Sequence, residues 1–453
     1  MIKIYTIAVL CLSAVSFAQE GPFSAEYRFN PDNVDCLPEQ SRSAIKQRLA
    51  GTVAELKSQG RLSSQMPQGA HILFDWPVVK NPGTTYNNVW SISNHVDHNA
   101  AFPNALSDYM CGTRTYDTGA GYNHKGVDIF TWPFTWYQMQ NNQSWAVAAA
   151  DGVIIGKDNG NADQSCTFNS NQWNAVYVLH EDGSVSWYGH LKNNSLTPKV
   201  VGDAVSSGEY LGVIGSSGNS TGPHLHFEVY DAQDNLVDPY AGSCNTWNDS
   251  WWETQKPYLD PKINAVYTHS ALPIFPNCPQ VETPFFKDEF NVGEAVYAMG
   301  YFSDQAVGAS VTINLYRPDS TLAYTSSAVS NNLWYSSYWY WIFGTTQLNQ
   351  TGIWTLSFTF AGQTVSHQFA YGTSLGAEAF EADRQLAFYP NPANDRITFN
   401  RAISNVQAIT ADGKRVELSV SGETADISGL PTGLYMLRAT SEEKQTILKL
   451  VKH

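Results

Sequence analysis

Apolar side chains recur at helical spacing in SRSAIKQRLAGTVAELKSQGRL, where Ile45, Leu49, Val53 and Leu56 are separated by polar positions. Residues 41–60 are therefore expected to form one amphipathic helix with a solvated charged face. From about residue 71 to 230 the pattern shortens to β-rich runs such as AVAAADGVIIGK, NAVYVLHEDGSVSWYGHL and YLGVIGSSG, divided by Gly, Asn, Asp and Ser turns. Many short strands at this spacing predict an antiparallel β unit. Prolines cluster in PIFPNCPQVETP (273–284), which reads as a linker. The stretch 285–372 then alternates like an Ig-like β-sandwich, with ASVTINLYRP and GIWTLSFTF as its clearest strands. After the polar, unpatterned GTSLGAEAFEADRQ, short strands return up to ILKLVKH and predict a small C-terminal β-sandwich.

The predicted fold is mainly β. Its expected parts are an N-terminal helical region at 19–70, an antiparallel β domain at 71–272, a sandwich at 285–372 and the small sandwich at 384–453. One strand breaks the usual pattern of one dry and one wet face. In WYSSYWYWIF (334–343), alternation puts Trp334, Tyr338 and Tyr340 on one side and Tyr335, Trp339, Trp341 and Phe343 on the other. Either one face fills the sandwich core while the other packs on the preceding domain, or Trp339 and Trp341 form an aromatic platform for sugar rings.

The first twenty residues, MIKIYTIAVLCLSAVSFAQE, combine Lys3, an apolar run and a small-residue end at Ser16-Phe17-Ala18. This reads as a signal peptide at 1–18; Leu12 and Ser13 after Cys11 disfavour lipidation, and no other stretch is long and apolar enough to span a bilayer. A soluble, exported mature chain is expected. Composition agrees: 43% apolar, 13% aromatic and only 15% charged residues suit folded, strand-rich material. The formal net charge of −15 argues against nucleic acid as a partner. Cys36, Cys111, Cys166, Cys244 and Cys278 remain after cleavage, an odd number that leaves at least one thiol free or intermolecular.

Candidate chemistry concentrates in three short motifs, YNHKGVDIF, WYGHL and STGPHLHFEV. In the third, strand alternation turns His224 and His226 to one face, while Leu225, Phe227 and Val229 form the opposite, core face. In the first, an extended strand would hold His124 and Asp128 ~13 Å apart, too far to share a metal. The chain must bend between them, and Gly126 permits it. Two histidines and one aspartate make a three-ligand site that leaves one position for water, the pattern of catalytic zinc. Two spare histidines, with His190 among the candidates, could handle protons or hold an oxyanion. Amide hydrolysis is the chemistry this set suits.

HKGVDI, AAADGVI, WYGHL and GDAVSSGEYLGVIGSSGNSTGPHLHFEV resemble the lysostaphin-type (LytM-type) zinc endopeptidases that cut peptidoglycan peptides, over about residues 115–235. The resemblance implies that His124, Asp128 and His226 bind one Zn2+ per catalytic domain and that His190 and His224 are catalytic. It implies a transition-state tyrosine, for which Tyr116 and Tyr122 are candidates. It also implies substrate among peptidoglycan stem or cross-bridge peptides, or protein. The aromatic insertion TWPFTWYQMQNNQSW (131–145) is longer than the family suggests and would reshape the groove that sets specificity. Related enzymes often use the region before HxxxD as an inhibitory segment, so His95, Asp97 or His98 of SNHVDHNA is expected at the fourth zinc position of a latent form.

FYPNPANDRITF, ITADGKRV and ISGLPTGLYMLRA resemble the C-terminal sorting domain of the type IX secretion system of Bacteroidetes. That implies the secretion machinery as a partner and a secreted or surface-attached location. Two alternatives to a zinc endopeptidase stand beside it: a catalytically inactive wall-binding or hydrolase-activating relative, and an adhesin-like surface protein.

Overall fold

The computed structural model describes residues 21–29, 35–63, 71–167, 169–245, 249–275, 282–375, 386–410, 414–441 and 444–453. The expected signal peptide and most of the second linker lie outside the described residues. Among these, the elements before the sandwich are β1 (Phe23–Glu26), α1 (Glu39–Ser58), β2 (Val78–Lys80), β3 (Trp90–Asn94), β4 (Val127–Thr131), α2 (Thr135–Gln140), β5 (Ser144–Val147), β6 (Gly152–Asp158), β7 (Ala175–Leu179), β8 (Val185–Gly189), β9 (Ala204–Val205), β10 (Tyr210–Val213), β11 (His224–Tyr230) and β12 (Leu236–Val237). The protein is mainly β, as the hydrophobic pattern predicts.

The largest sheet runs in the order β3-β4-β11-β8-β7-β6-β9, with β12 also paired to β11. Every pairing in it is antiparallel. A smaller sheet, β10-β5-β2, closes over one face. Leu225, Phe227 and Val229 of β11 join Val127 and Ile129 of β4 and Ala146 of β5 in the core between the sheets. The opposite face of β11 carries His224, His226, Glu228 and Tyr230, all buried. A face that charged and polar groups occupy must be covered by something that pairs with them.

That cover is the N-terminal segment. Helix α1 has Glu39 in its first turn and Lys57 in its last, the favourable sense for the helix dipole, and it ends before Gly60 at φ 70°. Its inward residues are Arg42, Leu49 and Leu56. Leu49 and Leu56 pack with Ile155, Trp173, Tyr177, Trp187 and Tyr230 in a second apolar cluster on the sheet's outer face.

Downstream lie β13 (Lys262–His269), β14 (Glu289–Phe290), β15 (Val296–Gln305), β16 (Ser310–Tyr316), β17 (Leu322–Val329), β18 (Trp334–Phe343), β19 (Gly352–Phe360) and β20 (Gln363–Tyr371). They form a sandwich of two sheets, β1-β18-β15-β13 and β14-β20-β19-β16-β17. Strand β1 thus comes from the N-terminus to pair with β18, Phe23 opposite Tyr340. Trp339, Trp341 and Phe343 of β18 lie in the sandwich core, Trp341 fully buried. They cannot act as a sugar platform. Tyr338 and Tyr340 face the other way and pack against the core of the large-sheet domain, so the strand's two aromatic faces have two different cores.

The insertion at 131–145 also differs from a groove loop. Trp132 and Phe134 are fully buried at the junction with the sandwich, where Trp132 stacks on Tyr27 and its indole N–H donates to the Phe302 carbonyl at 3.1 Å. Aromatic content there serves packing between domains. The C-terminal strands form two four-stranded sheets around Ile397, Val406, Leu437 and Leu450. A disulfide joins Cys111 to Cys244, Cys166 is also disulfide-bonded, and the buried Cys36 is a free thiol. No helix among the described residues is long and apolar enough to cross a membrane.

Candidate metal centre

Three neighbouring strands deliver the motif residues to one point. Strand β11 lies between β4 and β8, with His226 opposite Asp128 on one side and opposite Gly189 on the other. Asp128 sits in β4, while His124 precedes it beyond a bend at Gly126. That bend brings His124 Nε2 to 3.1 Å from Asp128 Oδ2. Gly126 is also required for space, because a Cβ there would lie 2.7 Å from the His226 ring. His190 follows β8 with φ 61°, a left-handed conformation that costs a non-glycine residue and is common where a side chain must be aimed.

Second partners set the tautomers. His124 donates from Nδ1 to the His95 carbonyl at 2.7 Å, so Nε2 keeps its lone pair. His226 donates from Nε2 to Glu228 Oε1 at 2.8 Å, so Nδ1 keeps its own. These two lone-pair nitrogens stand 3.3 Å apart, and Asp128 Oδ1 lies 2.8 Å from the same Nδ1. These nitrogens hold either a proton or a metal ion: against burial, Asp128 lifts the pKa of His124 to about 9, and Cys36 and Asp128 hold that of His226 well above its ordinary value. The edge of a tetrahedron with ~2.0 Å arms is ~3.3 Å, the spacing of zinc ligands. The donor set therefore suits a metal ion.

His190 and His224 flank that point without joining the triad. His190 donates from Nδ1 to the Ser217 carbonyl at 2.6 Å, and His224 from Nδ1 to the Gly222 carbonyl at 2.9 Å. Both therefore turn a lone-pair Nε2 inward; that of His224 is 3.5 Å from Asp128 Oδ1. Asn94 Nδ2 supports the other carboxylate oxygen of Asp128 at 3.1 Å. Tyr116 stacks on His124 with ring centroids 4.6 Å apart, and its hydroxyl lies beside Cys36; Tyr122 packs next to it with a buried hydroxyl that has no partner. All seven site residues expected from the motifs are thus gathered in one buried cluster.

Three further residues belong to it. Cys36 Sγ lies 3.1 Å from His190 Nε2 and 3.3 Å from His226 Nδ1, and with His124, Asp128 and His226 it forms a set whose ligand atoms all fall within 4.8 Å of one another. Burial alone would raise its pKa, but the neighbouring His226 and His190 hold the thiol well below its ordinary value. Glu228 is fully buried and ion-paired to Arg42 of α1, which also donates to the Tyr230 hydroxyl at 3.0 Å. Against its burial, Arg42 and His226 keep the Glu228 carboxyl down at about 2. The odd cysteine was the only trace of this in the sequence.

The side chains expected to supply a fourth donor in a latent form are elsewhere. His98 contacts Asp238 at 2.8 Å, Asp97 accepts the backbone N–H groups of Asn99 and Ser107, and the His95 ring is packed among Tyr109, Tyr240 and Tyr258. His95 reaches the centre through its carbonyl alone. Its ring lies in the tyrosine cluster, where burial pushes its pKa well down.

Residues 122–239 match Peptidase family M23, and residues 387–453 match the secretion system C-terminal sorting domain. The chain carries an M23 (LytM/lysostaphin-type) peptidase domain and a type IX sorting domain. It is 40% identical over 82 residues to the DD-carboxypeptidase/endopeptidase Mpg of Neisseria meningitidis, covering 18% of this chain and 16% of that one. Over 81 residues it is 32% identical to the peptidoglycan DD-endopeptidase ShyC of Vibrio cholerae, with the same coverage. The glycyl-glycine endopeptidase ALE-1 of Staphylococcus capitis is 33% identical over 109 residues, 24% of this chain and 25% of that one. The match thus spans a quarter or less of each relative's length. The sorting domain indicates export by type IX secretion.

Proposed function

We propose that this protein is a secreted zinc endopeptidase that hydrolyses peptide bonds in peptidoglycan stem or cross-bridge peptides. The observation that carries the reading is the convergence of His124 Nε2, Asp128 and His226 Nδ1, with the Nε2 atoms of His190 and His224 turned toward the same point. His124, Asp128 and His226 would hold one zinc ion. Bound there, zinc supplies Lewis acidity and brings the pKa of a water near neutrality.

The protein's own groups do the rest. Carbonyl acceptors at Ser217 and Gly222 fix the tautomers of His190 and His224, so each presents Nε2 to the reacting centre. One of them, neutral, takes the proton released as the amide is attacked and passes it to the departing amine; the other, protonated at Nε2 as well as Nδ1, donates to the oxyanion. Tyr116, stacked on His124 with its hydroxyl at the same centre, is better placed than Tyr122 to donate to that oxyanion. The complete donor set favours catalysis over an inactive wall-binding relative. The signal segment at 1–18 and the sorting domain together give an exported location, first across the inner membrane and then outward.

Zinc content of the purified protein, with loss of wall turbidity measured with and without a chelator, tests the reading. One zinc per chain and chelator-sensitive lysis are expected. His224→Ala should keep the metal and lose turnover; loss of the metal instead would reassign His224.

A further inference from the structure

The N-terminal segment crosses the face where substrate must lie. Strand β1 pairs with the free edge of β18. Tyr27 then stacks on Trp132, and Phe29 stacks on Phe130 at 4.7 Å while its edge meets the His224 ring at 5.4 Å. Further on, the Asp35 carbonyl accepts from Asn219 at 2.7 Å and its carboxylate from Thr118 at 2.8 Å. Those two bonds hold the next residue, Cys36, over the triad, and α1 begins three residues later.

We infer that Cys36 is the fourth protein ligand of the metal, so that the described residues 23–29 and 35–42 form a strap that closes the site until they are displaced. The inference rests on the metallopeptidase reading and adds a ligand to it. Three donors leave a catalytic zinc open; a fourth, thiolate donor gives the closed set of a structural site. Cys36 Sγ lies on the side facing His190, where His190 and His224 would otherwise meet water and substrate. Its sulfur also lies 3.3 Å from His226 Nδ1, in a set with His124, Asp128 and His226 whose ligand atoms all fall within 4.8 Å of one another.

A second contact of the same strap reaches the centre from behind. Arg42 pairs with Glu228, which holds His226 in the tautomer that frees Nδ1. One segment thereby supplies both a ligand and the countercharge of another ligand's support. Removal would take both away and free the fourth position for water.

Cobalt substitution of the full-length protein tests this by a readout other than activity. The wild type loaded with Co2+ should show the near-ultraviolet charge-transfer absorption of a cobalt thiolate, and Cys36→Ser should bind as much cobalt without that band. In the zinc-loaded wild type, Cys36 should resist a thiol reagent and react once a chelator has removed the metal, a measurement that needs no variant. Cys36→Ser should also lyse walls faster than the intact wild type by an order of magnitude or more. Cobalt bound without a thiolate band, or a thiol equally reactive with and without metal, overturns the role of Cys36 and leaves the peptidase reading standing. Failure of both proteins to bind metal overturns both.

Discussion

Strands β11 and β18 are both unusual as strings, one for HLHFEVY and the other for WYSSYWYWIF. Each places large side chains on both of its faces, and each has one face in an apolar core. Their other faces diverge. That of β11 gathers His224, His226 and Glu228 around lone pairs that want a cation, while that of β18 offers Tyr338 and Tyr340 to a neighbouring domain. The same N-terminal segment meets both, through Cys36 at one end and Phe23 at the other. Alternation therefore tells which residues share a face, and the chemistry of those residues tells whether the face binds or packs.

The sharpest way to break the contrast is on β11. His226→Ala removes a donor and the partner of Glu228, so metal binding and wall hydrolysis should both be abolished, as read by metal analysis and turbidity. The matching cut on β18, Trp341→Ala, should leave metal content and lysis per folded molecule unchanged. Its cost should appear in stability, about 3–5 kcal/mol for a fully buried tryptophan, measured by denaturant unfolding. Loss of activity from well-folded Trp341→Ala protein would mean that the sandwich takes part in catalysis.

A pH experiment sharpens the junction between the two regions. Glu282 is buried against the start of α2, and desolvation raises its pKa from 4.5 to about 7 despite the backbone N–H groups of Trp136 and Tyr137 that it accepts. A carboxyl with a raised folded pKa binds its proton more tightly when folded. Its contribution to stability is complete below pH 4.5 and is lost as pH rises to about 7. The expected fall over that window is up to about 3 kcal/mol, and Glu282→Gln should remove it from the difference between unfolding curves. The smallest effect belongs to the strap's far end. Phe23→Ala deletes a stack with Tyr340 at 4.9 Å and should cost only about 1 kcal/mol, seen as faster proteolysis of the N-terminal segment.

Much of the site was legible from short-range spacing. The pairing of His224 with His226, the core face of Leu225, Phe227 and Val229, and the bend at Gly126 all depend on residues within one strand or one turn. The helix at 41–60 was legible too, and is found at Glu39–Ser58. The insertion at 131–145 misled, because aromatic residues suit a binding groove and a domain junction equally well. SNHVDHNA misled for a related reason: it supplied ligand-type side chains near the motif, but the His95 ring packs among Tyr109, Tyr240 and Tyr258 and leaves only its carbonyl at the centre.

By itself the sequence determined which donors exist, which face of each strand they occupy, and that at least one cysteine would be free or intermolecular. Tertiary structure alone decided what covers those donors. Cys36 and His190 are 154 positions apart, and Arg42 and Glu228 are 186 apart. No periodicity extends over such distances, since side-chain alternation is a property of a single strand whereas the closing of a long loop is settled by the burial and ion pairing gained when its ends meet.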